Sequence, residues 1–186
     1  MSYIFNLLAA LFMCVAIATP AIAGSRSTNN TLDQYVNQVC KKNCTDSVSL
    51  LKAVRDTAKR LDLDYKLLLA IIRVESSFQP KARNGSSVGL TQVHLRFHRS
   101  KFMTKNYFQT SDNISVGGTI FKDCLTRQKG VTTKALRCYN GGGDKLYAKK
   151  VNKAYGEVKS LFIADGTHSK VPDDPLGELI ALLEPE

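Results

Sequence analysis

The sequence predicts a mainly α-helical protein with a single globular domain, and three observations lead to this fold class. The chain has 186 residues and 44% hydrophobic content, which is enough for one domain with an apolar core. Apolar residues recur at helical spacing through much of the chain. No convincing run alternates between apolar and polar residues, as a half-buried strand would.

The N-terminus has the pattern of a signal peptide covering residues 1–23. An apolar run at residues 4–18 is short for a membrane span, which needs about 20 residues. Ala21-Ile22-Ala23 gives the small-x-small pattern that precedes a cleavage site. The segment before the run carries no Lys or Arg, so an uncleaved N-terminal anchor is the alternative. We therefore expect an exported protein, with the periplasm as its compartment and no stable membrane span after cleavage.

The mature chain is expected to have three parts. Residues 24–44 form an N-terminal segment, and its small and polar first residues, 24–31, predict a flexible start. Residues 45–163 carry the helical periodicity and form the domain. Residues 164–186 form an acidic tail, which is either a solvated end or a docking segment for a partner or for the body of the same molecule.

Five helices are predicted within the domain from apolar periodicity and from short polar residues that can cap a first turn. Between the second and the third predicted helix, residues 81–111 lack this apolar periodicity and include Gly85 and Gly89. That region predicts turns, a small irregular or β-containing part and one short helix. The predicted helices, with their capping or first residues, are 47–61 with Thr45 or Asp46, 65–75 with Asp64, 112–128 with Asp112, 132–139 with Thr132 or Thr133, and 144–163 with Asp144.

Five cysteines become four when the predicted signal peptide, which contains Cys14, is removed. An even set in an oxidising compartment predicts disulfides, although four cysteines allow three pairings. Proximity in sequence favours Cys40 with Cys44 and Cys124 with Cys138. Four buried thiols are the alternative.

The charge is unevenly distributed along the chain. Residues 24–163 carry 25 Lys and Arg against 10 Asp and Glu, hence +15, and residues 164–186 carry one Lys against six acids, hence −5. A cationic body is attracted to any polyanion, and export makes the cell wall the more probable one. The basic residues are scattered, Trp is absent and no nucleic-acid-binding motif is present, so nucleic acid is not an expected partner.

Glu75 is the first glutamate in the chain, and it lies on an apolar helix face. Leu68, Ile71, Ile72 and Glu75 occur at positions i, i+3, i+4 and i+7. Aliphatic surroundings disfavour the charged carboxylate and raise its pKa, which suits a general acid near neutral pH. The alternative is a glutamate at a helix boundary, paired with Arg73 or another base.

Two loops downstream carry groups that can bind sugars. Residues 89–93 include Gly89 and Gln92, and residues 139–142 include Tyr139 and Asn140. Glycine allows close backbone approach, amides donate and accept hydrogen bonds, and tyrosine both stacks and hydrogen-bonds. Singly, each loop could equally be an ordinary turn.

Together and in this order, the motifs resemble the lytic transglycosylase family with its lysozyme-like fold. The resemblance covers about residues 48–155 and implies a helix bundle around a substrate groove. The matching residues are Glu75-Ser76 after an aliphatic helix, Phe78 and Pro80, Gly89-Leu90-Thr91-Gln92-Val93, Asn113-Ile114 with Gly117, Ala135-Leu136-Arg137-Cys138-Tyr139-Asn140-Gly141-Gly142, and Tyr147-Ala148-Lys149-Lys150-Val151.

The resemblance implies that the β-1,4 bond between N-acetylmuramic acid and N-acetylglucosamine in peptidoglycan is cleaved without water. Glu75 would protonate the glycosidic oxygen and then act as base on the muramyl 6-hydroxyl, which leaves a 1,6-anhydro end. By the same resemblance Tyr139 would hydrogen-bond to Glu75, and no cofactor or metal is implied. No Asp or Glu lies between Glu75 and Asp112, which is consistent with a lone carboxylate. The residues expected to bind substrate or orient the acid are Ser76, Gly89, Gln92, Tyr139 and Asn140.

Two positions depart from the family pattern. Asn84 stands where many relatives place a substrate-contacting serine, with Ser86 and Ser87 nearby, and Thr91 replaces a common methionine. The serine role therefore stays unassigned.

His94 and His98 have the i, i+4 spacing of helical metal ligands, but no acidic residue of the zinc-protease pattern accompanies them. We interpret them as part of a basic surface with Arg96, Arg99 and Lys101.

Two other functions stay open. A hydrolysing muramidase of the goose-lysozyme type would share the glutamate helix, and a non-catalytic wall-binding assembly protein would share the basic body. Under any of these functions, the expected partners are the peptidoglycan glycan strands and a secretion, conjugation or phage apparatus reached through the basic surface or the acidic tail.

Overall fold

A computed structural model describes residues 23–163 of the chain. The predicted signal peptide, apart from Ala23, and the predicted acidic tail lie outside these residues. The elements in chain order are α1 (Ala23–Val39), α2 (Ser47–Leu61), α3 (Tyr65–Ser76), β1 (Arg83–Asn84), β2 (Ser87–Val88), β3 (Val93–His94), α4 (Leu95–His98), a 3-10 turn (Arg99–Lys101), α5 (Thr110–Arg127), α6 (Thr132–Tyr139) and α7 (Tyr147–Ile163).

The predicted mainly α-helical fold is confirmed, and α3 is its central helix. Residues 68–72 of α3 are each at most 1% exposed, so this helix is enclosed on every side. It contacts α7 and α2 most extensively, and α5 packs against α2 and α6. Glu75 lies in the last turn of α3, at the end of a helix whose position is fixed by the whole bundle.

The caps of α2 and α3 follow from the sequence. Asp46, rather than Thr45, caps α2 by accepting the amide hydrogen of Ser49 at 2.7 Å. Asp64 caps α3 by accepting the amide hydrogen of Lys66 at 2.7 Å. Each carboxylate satisfies an amide that has no partner within its own helix.

The predicted cap of the next long helix is wrong. α5 begins at Thr110 with Gln109 as its N-cap, and Asp112 accepts the amide hydrogen of Asn106 at 2.9 Å instead. Asp112 therefore connects the preceding loop to α5 through this hydrogen bond. A sequence pattern based on capping residues alone does not distinguish such a residue from an N-cap. α7 likewise begins three residues after Asp144, at Tyr147.

The N-terminal segment, expected to start as a flexible stretch over residues 24–31, is helical there. α1 runs through Ala23–Val39. Leu32, Val36 and Cys40 lie at i, i+4 and i+8 and are at most 3% exposed. They pack into the same core cluster as Leu50 and Phe162, so tertiary packing stabilises a helix whose first residues have weak propensity.

The small β-containing part predicted between α3 and α5 is confirmed, and it is a three-stranded antiparallel sheet. Its strand order is β1-β2-β3, with Arg83 opposite Val88, Asn84 opposite Ser87 and Val88 opposite Val93. The loop between β1 and β2 has two residues, and its first, Gly85, has φ of +56°. Type II′ hairpin turns need glycine at this position because φ is positive there.

Two cysteine pairs lie at disulfide distance, and they are the pairs that proximity in sequence favoured. Cys40 is joined to Cys44 and Cys124 to Cys138, with Cα–Cα distances of 5.7 and 5.8 Å. The first pair fixes the end of α1 near the start of α2. The second joins α5 to α6 directly beside Tyr139.

No helix within residues 23–163 has the length and apolar content needed to cross a membrane.

Candidate active site

A groove with a volume of about 600 Å³ opens beside the end of α3, and Glu75 is one of its lining residues. Of the predicted site residues, the groove brings together Glu75, Gln92, Tyr139 and Asn140. Gly89 and Ser76 are not part of this lining. The lining residues come from α3, the sheet, α4, α5, α6, α7 and the loops between them: Val74, Glu75, Asn84, Ser87, Gln92, Val93, His94, Phe97, His98, Ile120, Cys138, Tyr139, Asn140, Gly141, Asp144, Tyr147 and Lys150.

The carboxyl of Glu75 is largely removed from water. Burial raises its pKa from 4.5 to about 7, and a hydrogen bond from the Tyr147 hydroxyl opposes part of this increase. The alternative in which Glu75 pairs with Arg73 is not observed, because the hydrogen bond to Glu75 comes from a tyrosine. A carboxyl with this pKa exists in comparable amounts of acid and base near neutral pH.

The tyrosine that hydrogen-bonds to Glu75 is Tyr147, so the expectation that Tyr139 makes this contact is wrong. The Tyr147 hydroxyl donates to Oε1 of Glu75 at 2.6 Å. The Tyr139 hydroxyl donates to the carbonyl oxygen of Thr91 at 2.7 Å. The two rings stack with centroids 6.5 Å apart and planes at 26°. Tyr139 therefore packs against the orienting tyrosine and links α6 to the turn that carries Gln92.

Both tyrosines stay protonated at any physiological pH. Burial, followed by the nearby Glu75 carboxyl, raises the pKa of Tyr147 and of Tyr139 well above the ordinary value. Tyr147 is consequently a permanent hydrogen-bond donor to Glu75. Tyr147 belongs to one of the matching motifs, but the sequence does not predict its contact with Glu75 because 72 positions separate the two residues and no local pattern joins them.

A buried asparagine fixes the turn between β2 and β3. Asn113, which is 1% exposed, accepts hydrogen bonds from the amide and hydroxyl of Thr91, both at 2.8 Å, and donates to the carbonyls of Val88 and Tyr107. Its amide group is thus fully used. Thr91, at the position where methionine is common, is a buried partner of Asn113 rather than a groove residue.

Glycine is required where this turn meets α5. At Gly89, which has φ of +77°, a Cβ would lie 2.1 Å from Nδ2 of Asn113. At Gly117 a Cβ would lie 2.3 Å from Oγ1 of Thr91. Gly89 therefore serves the turn and its packing in this structure, and the groove does not include it.

Ser76 also lies away from the groove. Its side chain is buried, and its hydroxyl donates to the carbonyl of Ile72 at 3.1 Å, one turn earlier in α3. This hydrogen bond occupies the hydroxyl within the helix.

Gln92 presents its carbonyl oxygen to ligands. Its backbone has φ of +45°, and its amide nitrogen donates to the carbonyls of Gly89 at 2.9 Å and Ala82 at 3.2 Å. Both N–H groups are used, so Oε1 is the atom left to accept a hydrogen bond. Asn140 is held more loosely, by one contact of 3.4 Å from its amide nitrogen to the carbonyl of Asp144.

The β1–β2 hairpin brings two further polar residues to the groove. Asn84 and Ser87 face each other across the hairpin, and both belong to the lining. Ser86, in the turn between them, does not. Asn84 and Ser87 are therefore the candidates for the role that relatives assign to a serine.

The groove contains a second carboxylate, Asp144, in a different environment. Its Oδ2 lies 2.7 Å from Nζ of Lys150, and its Oδ1 accepts the amide hydrogen of Leu146 at 2.8 Å. The hydrogen bond from Lys150 lowers the pKa of Asp144, so this group is ionised where Glu75 holds a proton.

The two histidines noted in the sequence both line the groove. His94 belongs to β3 and His98 to α4, and burial lowers the pKa of His98. In the part of the chain that the structure describes, no group of three or more His, Cys, Asp or Glu side chains is placed to hold a metal ion.

The model of the Transglycosylase SLT domain family matches residues 52–162, which is more than half of the chain. This range starts within α2 and ends at the penultimate residue of α7, so it contains every residue that lines the groove. No solved structure matches the chain.

Proposed function

Because the chain belongs to the Transglycosylase SLT domain family, whose activity is directed at peptidoglycan, we propose that it is an exported lytic transglycosylase in which Glu75 acts first as acid and then as base. The observation that carries this proposal is the state of Glu75. It is a largely buried carboxyl with a pKa of about 7, held by a tyrosine hydroxyl in a groove of suitable size.

In the first step, protonated Glu75 gives its proton to the oxygen of the β-1,4 bond between N-acetylmuramic acid and N-acetylglucosamine. The C1–O bond of the muramyl residue breaks, and the N-acetylglucosamine leaves as an alcohol. Charge develops on the Glu75 carboxylate as the proton departs. The Tyr147 hydroxyl, 2.6 Å from Oε1, stabilises that charge and leaves Oε2 for the proton transfer.

In the second step, the Glu75 carboxylate removes the proton of the muramyl 6-hydroxyl. The 6-oxygen bonds to C1 and closes a 1,6-anhydro ring, and the proton on Glu75 restores the starting state. No water is consumed. One carboxyl serves both steps because its pKa lies close to neutral pH.

Four polar side chains of the groove are proposed to hold the sugars. Gln92 offers its carbonyl oxygen, Asn140 its amide, and Asn84 and Ser87 the polar edge of the hairpin. These groups match the hydroxyls and N-acetyl groups of a glycan strand. Ser76 and Gly89, which sequence analysis grouped with them, support the turn and the helix instead.

The presence of a second carboxylate in the groove, Asp144, supports the alternative function of a hydrolysing muramidase. Hydrolysis with two carboxylates needs a base that activates water, at a separation of about 6.5–9.5 Å for inversion. Asp144 lies in the groove and is ionised, but its ion pair with Lys150 and its bond to the start of α7 give it a structural role as well. Product analysis separates the two mechanisms.

The test is digestion of purified peptidoglycan sacculi, followed by mass analysis of the released muropeptides. We expect 1,6-anhydromuramyl ends, and Glu75→Gln should abolish them. Asp56→Asn, a change at an exposed residue of α2, is the matched control and should keep full activity. Hydrated reducing ends without anhydro products would support the muramidase, and binding without cleavage would support a wall-binding protein.

The two disulfides favour an oxidising compartment, and we propose the periplasm, with a signal peptide cleaved after Ala23. N-terminal sequencing of the mature protein tests this placement. Beyond peptidoglycan, the proposed partner is a secretion, conjugation or phage apparatus that uses local wall opening. The basic body is the surface such an apparatus would contact.

A further inference from the structure

Phe97 is an aromatic residue that the hydrophobic core does not use. Its side chain is 69% exposed, and it is one of the lining residues of the groove. Among the other phenylalanines in the described part of the chain, Phe108 is half-buried and four are at most 1% exposed. These four are Phe78, Phe102, Phe121 and Phe162.

The exposure of Phe97 follows from how α4 is attached to the body. Leu95 anchors α4 in the core cluster that also contains Val93 and Phe102. Phe97 is two residues beyond Leu95, which places it about 200° further around a helix. Burial of Leu95 therefore turns Phe97 outward, and the groove is the concave surface that receives it.

The ring of Phe97 has two neighbouring side chains beside it. The ring of His94 lies 4.8 Å away at an angle of 34°, and the guanidinium of Arg96 lies 5.8 Å from the Phe97 centroid. His94 belongs to β3 and also lines the groove. An exposed aromatic ring at the side of a groove is suited to stacking on a ligand.

The rest of the lining indicates a neutral and polar ligand. Asn84, Ser87, Gln92 and Asn140 contribute amides and a hydroxyl, and the charges of Asp144 and Lys150 pair with each other. Burial lowers the pKa of His98, which favours its neutral form. A pyranose ring has this mixed character, because its C–H face is apolar and its edge carries hydroxyl and N-acetyl groups.

We propose that Phe97, beside His94, is the platform of an additional sugar subsite on which one N-acetylhexosamine ring of the glycan strand stacks. The inference rests on the proposed function, since it takes the glycan strand as the substrate. It adds a preference for long glycan strands, which the residues around Glu75 do not determine. Strands long enough to reach both Glu75 and Phe97 bind more tightly than strands that reach Glu75 alone.

The absence of tryptophan from the chain allows a direct test. Phe97→Trp in a Glu75→Gln background places a single tryptophan at the platform of a protein that binds without cleaving. The matched control is Val48→Trp in the same background, because Val48 is 56% exposed on α2 and does not line the groove. The probes are chitohexaose and glycan strands released from sacculi by an amidase.

We expect a saturable change in tryptophan emission for the Phe97→Trp protein and none for the control. In the active enzyme, Phe97→Ala should raise KM for long strands about tenfold with little change in kcat, while Phe97→Tyr restores binding. Calorimetry reports strand binding independently of the fluorophore. Two results would contradict the proposed stacking: strand binding without a change in the emission of the tryptophan at position 97, or a wild-type KM for Phe97→Ala. Either result would indicate that the exposed ring of Phe97 contacts another protein instead.

The two proposals fail separately. If wild type gives anhydro products but the tryptophan emission does not change, the stacking proposal is wrong and the transglycosylase proposal stands. If the tryptophan emission changes but wild type gives no anhydro products, the stacking proposal stands and the transglycosylase proposal is wrong.

Discussion

Replacement of Glu75 by glutamine should stabilise the protein, and the size of this effect should depend on pH. The folded protein raises the pKa of Glu75 from 4.5 to about 7. Below about pH 4.5 the carboxyl is protonated in both the folded and the unfolded state, so it has no effect on the free energy of unfolding. Between about pH 4.5 and 7 the unfolded state releases the proton and the folded state retains it, so the free energy of unfolding falls as the pH rises.

The penalty is complete above about pH 7, where both states are ionised. The two pKa values, 4.5 and about 7, correspond to about 3 kcal/mol at about 1.4 kcal/mol for each pH unit. This is a large part of the 5–15 kcal/mol by which a typical domain is stable. Glutamine has nearly the same shape and does not ionise, so Glu75→Gln should escape the penalty. A buried carboxyl at this position would thus reduce the stability of the fold above about pH 4.5.

The assay is urea unfolding of wild type and Glu75→Gln at about pH 4 and about pH 8, with the disulfides intact. Other titrating groups are common to both proteins and cancel in the difference between them. We expect this difference to change by about 3 kcal/mol between the two pH values, in favour of glutamine at pH 8. Asp56→Asn, at an exposed ion pair, should show no comparable change. A difference that is independent of pH would refute the claim that burial controls Glu75.

Three further substitutions test the arrangement around the acid. Tyr147→Phe removes the hydrogen bond that lowers the pKa of Glu75, so the pH–rate profile should move to higher pH and kcat should fall at least about tenfold; an unshifted profile would contradict the role of this tyrosine. Asp144→Asn should leave the anhydro products unchanged and the rate within about threefold, whereas loss of all cleavage would favour hydrolysis with two carboxylates. Gly117→Ala should cost about 1–3 kcal/mol in thermal unfolding because its Cβ would lie 2.3 Å from Oγ1 of Thr91, and an unchanged Tm would show that α5 can shift.

The sequence predicted best those elements whose structure depends mainly on residues close together in the chain. The periodicity of α2 and α3 and the capping side chains of Asp46 and Asp64 are local signals, and they gave the correct helices. The apolar face of α3 also predicted the environment of Glu75, because residues 68–72 are buried. Local spacing was sufficient in each of these cases.

The sequence was least informative where distant segments meet. α1 is stabilised by packing of Leu32 and Val36 on a core formed by later helices, and no local pattern reveals those partners. The hydrogen bond to Glu75 comes from Tyr147 rather than Tyr139 because of how α6 and α7 approach α3. Such contacts are properties of the assembled bundle, so the motif assigned the hydrogen bond with Glu75 to the wrong hydroxyl.

The β1–β2 hairpin carries a consequence for the chemical lifetime of the protein. Asn84 lines the groove and precedes Gly85, which has no side chain to hinder its backbone nitrogen. This nitrogen can attack the carbonyl carbon of the asparagine side-chain amide and release ammonia, and water then opens the resulting succinimide to aspartate or isoaspartate. Each such event would add a negative charge to the glycan groove, and the isoaspartate form would also lengthen the backbone at the turn. Old preparations would therefore lose affinity for substrate while the helical bundle stays folded, and Asn84→Ser would be the variant to choose for long storage.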